Sequence, residues 1–395
     1  MKYPFLTLLL ILASALHLQA KPLKVYILCG QSNMQGHADI RTFPHIGMDP
    51  KTAPFLKEVL NEDGTPKVIK DVWISSIDPS SENGEKHGQL VAGYGASGTK
   101  IGPELTFGIY MQKIVKEPIL LIKTAWGGRS INTDFRPPSA GPYEFNDQQI
   151  ENFQKQGKDL GEMKKEHALR TGVYYRLMME HVQKVLGDIK RVYPGYDASE
   201  GYRLAGFVWF QGWNDMVDGG SYPDRGQPGG YDKYSEVLAH FIRDVRKDLC
   251  AKNLPFVIGV MGAGGPIEKY SDSQKRYAGI HGEFRNAMAA PAGLEDFKGN
   301  VHAVWTEKYW DDQLNELTQR MDKVRAKSRE LGKEKLGGKE KAKILDDYKA
   351  ELFTNEELKV LEVGVSNAAY HYLGSSKVFV QIGKAFAEAL DCGCH

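Results

Sequence analysis

Short apolar runs alternating with helical patterns predict an α/β doubly wound domain on a parallel sheet. Two observations carry this. The runs are nearly continuous in apolar residues, as strands covered on both faces must be. The segments between them are long enough for crossover helices. In chain order the strand candidates are Val25 to Cys29, Val72 to Ser75, Ile119 to Ile122 (entered through Pro118), Leu204 to Phe210, Phe256 to Met261 and Val301 to Trp305. Helical patterns fall at about 103–116, 166–190, 232–249 and 274–289. A last helix begins near Ser375, where Phe379, Ile382, Phe386 and Leu390 recur at spacings of three and four and form one apolar stripe. In such sheets ligands bind at the carboxyl ends of the strands, so chemistry belongs just after the apolar runs.

The chain reads as one domain over 21–395, with insertions at about 37–100 and 309–353. The first is rich in Gly, Pro and Ser and holds one obvious strand. The second is charge-dense and broken at Gly337-Gly338, which reads as an antiparallel helical hairpin with solvated faces. Thr354 to Glu357 then forms a capping-box sequence that starts another helix. Residues 1–20 read as an export signal. Lys2 is its charged start, Pro4 to Leu16 its apolar stretch and Ala20 the residue before cleavage. The mature chain is expected to be exported, periplasmic or secreted, and free of membrane after signal removal.

Of the 395 residues, 51 are basic and 50 acidic. That balance speaks against a general nucleic-acid binder and against a polybasic membrane-surface protein. The four cysteines are too few for a disulfide scaffold. Cys29 ends an apolar strand and reads as a small buried hydrophobe. Pairing of Cys250 with Cys392 or Cys394, or a metal site at the tail with His395, stands against the plainer reading of a frayed terminus. Gly93 to Gly98 matches a dinucleotide-binding glycine pattern by letter, but bridges no clear strand and helix. There is no His-Glu-x-x-His and no paired Cys-x-x-Cys, so no metal and no cofactor is expected.

Four local features carry chemistry. Gly30-Gln31-Ser32-Asn33-Met34 follows the first strand, and a Ser at a sharp strand-to-helix turn exposes its hydroxyl at the sheet's carboxyl edge. Trp126-Gly127-Gly128-Arg129-Ser130 follows the third strand. Its glycines permit close backbone approach to a ligand. Gln211-Gly212-Trp213-Asn214-Asp215 follows the fourth, where the Asn214 amide can be aimed at the same point. His371, followed by Tyr372 and Gly374, precedes the last helix. Singly, each has a plain structural reading: a capping Ser, a tight turn, a packed Asn, a buried His.

Together these residues resemble the SGNH hydrolases, most closely the sialate O-acetylesterase-like carbohydrate esterases. Ser32, Gly128, Asn214 and His371 match the superfamily's four letters in chain order. Gly102-Pro103-Glu104-Leu105 is similar to a further segment of the subgroup. The resemblance implies a flavodoxin-like three-layer α/β/α sandwich and hydrolysis of acetyl esters on sugars or polysaccharides. Ser32 would be the nucleophile and His371 the base, with Ser32, Gly128 and Asn214 as oxyanion donors. Gln31, Trp126, Trp213 and Tyr372 are candidate contacts for an acetylated carbohydrate; the aromatic rings can equally be packing. Protein partners are left open. One departure stands out: the family's Asp three residues before the His is here Ala368. Three outcomes follow. In the first, the pair acts as a Ser–His dyad. In the second, another group, Asn367, Glu362 or Glu104, orients the imidazole. In the third, the site binds glycans without turnover.

Overall fold

A computed structural model describes residues 21–78 and 84–392. Among these, nine strands form: β1 Leu23–Gly30, β2 Ala38–Asp39, β3 Val72–Ile77, β4 Glu85–Gln89, β5 Lys100–Ile101, β6 Ile119–Ala125, β7 Tyr202–Phe210, β8 Phe256–Val260 and β9 Val301–Trp305. Seven of them make one sheet in the order β4-β3-β6-β1-β7-β8-β9. All its pairings are parallel except β3 with β4. Leaving out β3 and β4, the order is the 2-1-3-4-5 of a flavodoxin-like sheet. The 37–100 segment is therefore an edge extension of that sheet. Its stem is closed by the antiparallel pairing of β2 with β5, Ala38 opposite Ile101 and Asp39 opposite Lys100.

Helices cover both faces, and neighbouring residues of β7 show it. A Cβ on Gly206 would meet Leu390 of the helix Ser376–Cys392 at 2.6 Å. The next residue, Phe207, turns to the other face and packs edge-on against Phe241 of the helix Asp232–Asp248. Because successive side chains of a strand alternate, these two contacts define an α/β/α sandwich. Ser376–Cys392 shares its face with Glu104–Val115, so closely that a Cβ on Gly383 would lie 2.2 Å from the Pro103 carbonyl oxygen. The strands carry the core: Val25, Ile27, Leu28, Leu120, Leu121, Ile122, Val208 and Ile258 are all fully buried.

The expected helix over 166–190 is two helices, Leu160–Arg170 and Val173–Gly187. They are separated at Gly172, whose φ of 69° a Cβ would strain. The charged insertion is a pair of helices, Asp312–Lys333 and Gly338–Leu352, with a small core of their own around Leu317, Val324 and Phe353. Thr354 caps the following helix, Asn355–Gly364, through the reciprocal bonds of a capping box with Glu357. Cys29, Cys250 and Cys392 are unpaired among the described residues. The expected export signal, Cys394 and His395 lie outside them. No helix among the described residues is long and apolar enough to cross a membrane.

Candidate active site at the carboxyl edge of the sheet

The turn bearing Ser32 is set by contact between β1 and β7. A Cβ on Gly30 would lie 2.1 Å from the Phe210 carbonyl oxygen, so only glycine lets the strands end this close. The Gln31 N–H then donates to that oxygen at 3.3 Å. Residues Ser32–Gln35 make one helical turn, closed by Gln35 N–H on the Gln31 carbonyl and Gly36 N–H on the Ser32 carbonyl, both 2.8 Å. Ser32 is 8% exposed, at the point where the flavodoxin-like strand order reverses.

The strand β6 brings its glycines alongside. The Trp126 N–H donates to the Gly30 carbonyl at 3.2 Å. A Cβ on Gly127 would stand 3.8 Å from the Ser32 Cβ, whereas one on Gly128 would meet nothing within 4 Å. Gly127 is thus the glycine facing Ser32, and Gly128, at φ 71°, is the turn residue after it.

Gln31 fixes the polarity of Asn214. Its Oε1 accepts the Gly212 N–H at 3.0 Å, and a backbone donor admits only an oxygen there. The Gln31 Nε2 must then donate, and it does, to Asn214 Oδ1 at 3.1 Å. With its oxygen so occupied, Asn214 keeps its Nδ2 group as a donor. Gln31 is 1% exposed and spent on this network, so it positions Asn214 and does not contact substrate. Asp215 lies beneath, fully buried, accepting from Ile131 N–H (2.9 Å), Asn132 N–H (3.1 Å), Gln211 Nε2 (2.6 Å) and Tyr222 OH (3.1 Å). Burial pushes its carboxyl up to about 6 against the pull of those four donors.

The loop bearing His371 is strained. Tyr372 and Leu373 are in the left-handed region at φ 51° and 60°, which non-glycine residues avoid. Tyr372 anchors it: its ring is fully buried and its hydroxyl sits 2.8 Å from the Gly262 N–H and 2.6 Å from Thr306 Oγ1. Tyr372 therefore cannot stack on a sugar. Its neighbour Tyr370, 43% exposed, lies 5.4 Å from the half-buried Trp213 and 4.4 Å from the His371 ring. Trp126 is half-buried and packs edge-on against Tyr174.

Asn367 replaces the missing acid as partner of His371. Its Oδ1 accepts the Ala368 N–H at 2.8 Å, which identifies that atom as oxygen. The same Oδ1 lies 2.8 Å from His371 Nδ1, so Nδ1 carries the ring proton and Nε2 holds a free lone pair. Burial, with Lys100 adding to it, pushes the imidazole down to about 4. Asn33 Nδ2, beside Ser32, donates to the Tyr370 carbonyl, beside His371, at 3.1 Å. That bond ties the two loops together.

Glu104 is elsewhere. Its Oε2 is 2.7 Å from the buried Lys123 Nζ and its Oε1 accepts the Gly102 N–H at 2.9 Å, so it does not orient His371. The pair still serves the site, because Lys123 also donates to the Gln35 carbonyl at 2.8 Å, the end of the Ser32 turn. Glu362 is exposed on its helix. Sequence reasoning missed Tyr370, Lys123 and His37; the last stacks on His371.

A family model described as carbohydrate esterase, sialic acid-specific acetylesterase, matches residues 22–310. The chain belongs to this carbohydrate esterase family. Within this family member the match takes in Ser32, Gly127, Gly128 and Asn214 and ends before the hairpin and His371. Among solved structures, the carbohydrate esterase is similar to a protein of Arabidopsis thaliana at 16% identity and TM-score 0.38, over 72% of this chain and 86% of that one. It is also similar to a carbohydrate acetylesterase from Xanthomonas citri at 15% identity and TM-score 0.38, over 71% of this chain and 49% of that one. No curated protein shows a significant match.

Proposed function

We propose that this protein is an exported carbohydrate O-acetylesterase, a serine hydrolase that removes acetyl groups from sugars or polysaccharides. The observation that carries the reading is the tautomer of His371. With Nδ1–H held by Asn367, the free Nε2 is the atom a general base needs. In the proposed reaction Ser32 Oγ attacks the acetyl carbonyl as Nε2 takes its proton. The oxyanion that forms is held by the Ser32 and Gly127 or Gly128 backbone N–H groups and by Asn214 Nδ2. The C–O bond to the sugar breaks, and His371 returns the proton to the departing sugar oxygen. Water, deprotonated by the same nitrogen, then cleaves the acyl-serine to free acetate and restore Ser32. Every proton is handled by His371, so the proposed cycle calls on no metal or cofactor. Trp213 and Tyr370 flank the site and offer ring faces to a sugar.

The test is hydrolysis of an aryl acetate and of an acetylated glycan by wild type and Ser32→Ala. Turnover in wild type, absent in a folded Ser32→Ala, supports the proposal. Turnover that persists in Ser32→Ala overturns it. So does an inactive wild type that retains glycans, which would make the protein a glycan binder. Export through residues 1–20 is tested by finding the chain in the periplasm or medium, and its loss there on deleting that segment.

A further inference from the structure

His37 lies five residues beyond Ser32, outside the four local segments that the sequence singles out, yet its imidazole lies flat on that of His371. The ring centroids are 4.0 Å apart and the planes differ by 2°. The backbone on both sides is built to hold it there. Gly36 is wedged against Gly102, where a Cβ would come within 2.3 Å of the Gly102 backbone, and its carbonyl accepts the Ala96 N–H at 2.8 Å. On the other side, Ser366 Oγ donates to the Gly374 carbonyl at 2.6 Å and accepts the Asp39 N–H at 3.0 Å. The segment carrying His37, just before β2, is thus pinned on one side by the Gly36–Gly102 contact and tied on the other, through Ser366, to the loop carrying His371. His37 Nδ1 is buried and has no hydrogen-bond partner among the described residues, so that nitrogen does not place the ring, whereas its face lies on His371.

Resting on the esterase reading above, we infer that His37 is a positioning residue, a flat clamp that fixes the plane of the His371 imidazole and lends its π-face to the imidazolium formed when Ser32 gives up its proton. Asn367 fixes one edge of the His371 ring. An edge contact alone leaves the ring free to tilt, and the stacked face removes that freedom. The clamp works only if it stays neutral, because two stacked imidazolium ions repel. The surroundings enforce this. Burial, His371 itself, Lys100 on β5 and Lys123 on β6 hold His37 down to about 3. The titratable groups facing His371 are His37, Lys100 and the Tyr370 ring. A neutral aromatic face against a new cation is favourable, and a ring displaced by about 1 Å costs about 10²-fold in turnover.

The experiment compares wild type, His37→Ala and His37→Phe on an aryl acetate across pH. It also follows the His371 ring by NMR titration in each variant. His37→Ala should lower kcat by about 10²-fold with KM within about twofold, while His37→Phe, which keeps a flat face, should recover at least about tenfold of that loss. The His371 midpoint should rise from about 4 toward the free value in His37→Ala, since wetting one ring face outweighs the lost contact between the cation and a neutral face. A folded His37→Ala with kcat within about threefold of wild type overturns the inference. An unmoved His371 midpoint does so as well, and this is read in His37→Ala even where His37→Phe does not fold. The two readings fail separately. Turnover surviving in Ser32→Ala removes the esterase mechanism, whereas the NMR midpoint reports the clamp whether or not ester is hydrolysed.

Discussion

Replacing Asn367 tests how this site works without the family's acid. Its Oδ1, 2.8 Å from His371 Nδ1, meets a neutral ring at rest and an imidazolium during turnover. A hydrogen bond between neutral groups is worth about 1 kcal/mol net and one to a charged group about 1.5–3. The bond therefore strengthens by about 0.5–2 kcal/mol on the way to the transition state, about 2- to 30-fold in rate. Asn367→Ala also frees the tautomer, and a wrong tautomer alone costs up to about 10⁴. The expected loss in kcat/KM is about 10²-fold, lying between these bounds. Asn367→Asp gives the opposite signature. A carboxylate at this position favours the protonated ring and raises its midpoint by roughly 1–3 units. On the proposed mechanism the wild-type base is protonated as pH falls through about 4, so the acid limb of kcat/KM is expected there. In Asn367→Asp that limb should move upward, leaving the variant slower than its own plateau in mild acid where wild type is still at full rate. The assay is kcat/KM for an aryl acetate as a function of pH. If Asn367→Ala stays within about threefold of wild type and Asn367→Asp leaves the limb in place, His371 is not oriented by this residue.

Asn214→Ala removes the proposed side-chain oxyanion donor and should lower kcat by about 10²–10³-fold while the thermal melt stays cooperative. Lys123→Met leaves the Glu104 carboxylate uncompensated in the core and should destabilise the fold by about 3–5 kcal/mol in urea denaturation; adding Glu104→Gln should recover much of this. His181 and His281 are each pushed down to about 4, chiefly by burial. The native state binds fewer protons than the unfolded one below the free value of about 6.5, so stability should hold above that pH and fall as pH drops from there toward about 4, read as a declining Tm.

The parallel strands were legible because burial on both faces leaves an unbroken apolar run. Their ends were less so. The run after Pro118 reads as finished at Ile122, because Lys123 breaks it. The strand in fact continues to Ala125, since Glu104 and two carbonyls take up the buried ammonium. β4, Glu-Lys-His-Gly-Gln, has no strand pattern; it is an edge held by backbone bonds to β3. In the site, the candidate residues after β1, β6 and β7 meet because the strand order brings those ends together, which spacing along the chain cannot express. Asn367 was among the groups named for the imidazole on adjacency alone. Which of two tyrosines faces outward depends on the left-handed turn at Tyr372 and Leu373, a backbone state with no sequence signal in a Tyr-Leu pair. Likewise, only three-dimensional proximity puts His37 on His371.

The bond from Asn33 to the Tyr370 carbonyl joins residues 337 positions apart, and this has a consequence for biosynthesis. Domains form as the chain emerges from its N-terminal side. The residues of the Ser32 turn and of the whole sheet are therefore synthesised long before the loop that supplies the imidazole. That loop is seated only when Tyr372 reaches the ends of β8 and β9 and Ser376–Cys392 docks on Glu104–Val115. On the proposed mechanism, the nascent chain carries a nucleophile with no base, and hydrolytic competence arrives as a late event in maturation. A product truncated after β9 would keep the strands of the sheet and remain chemically silent.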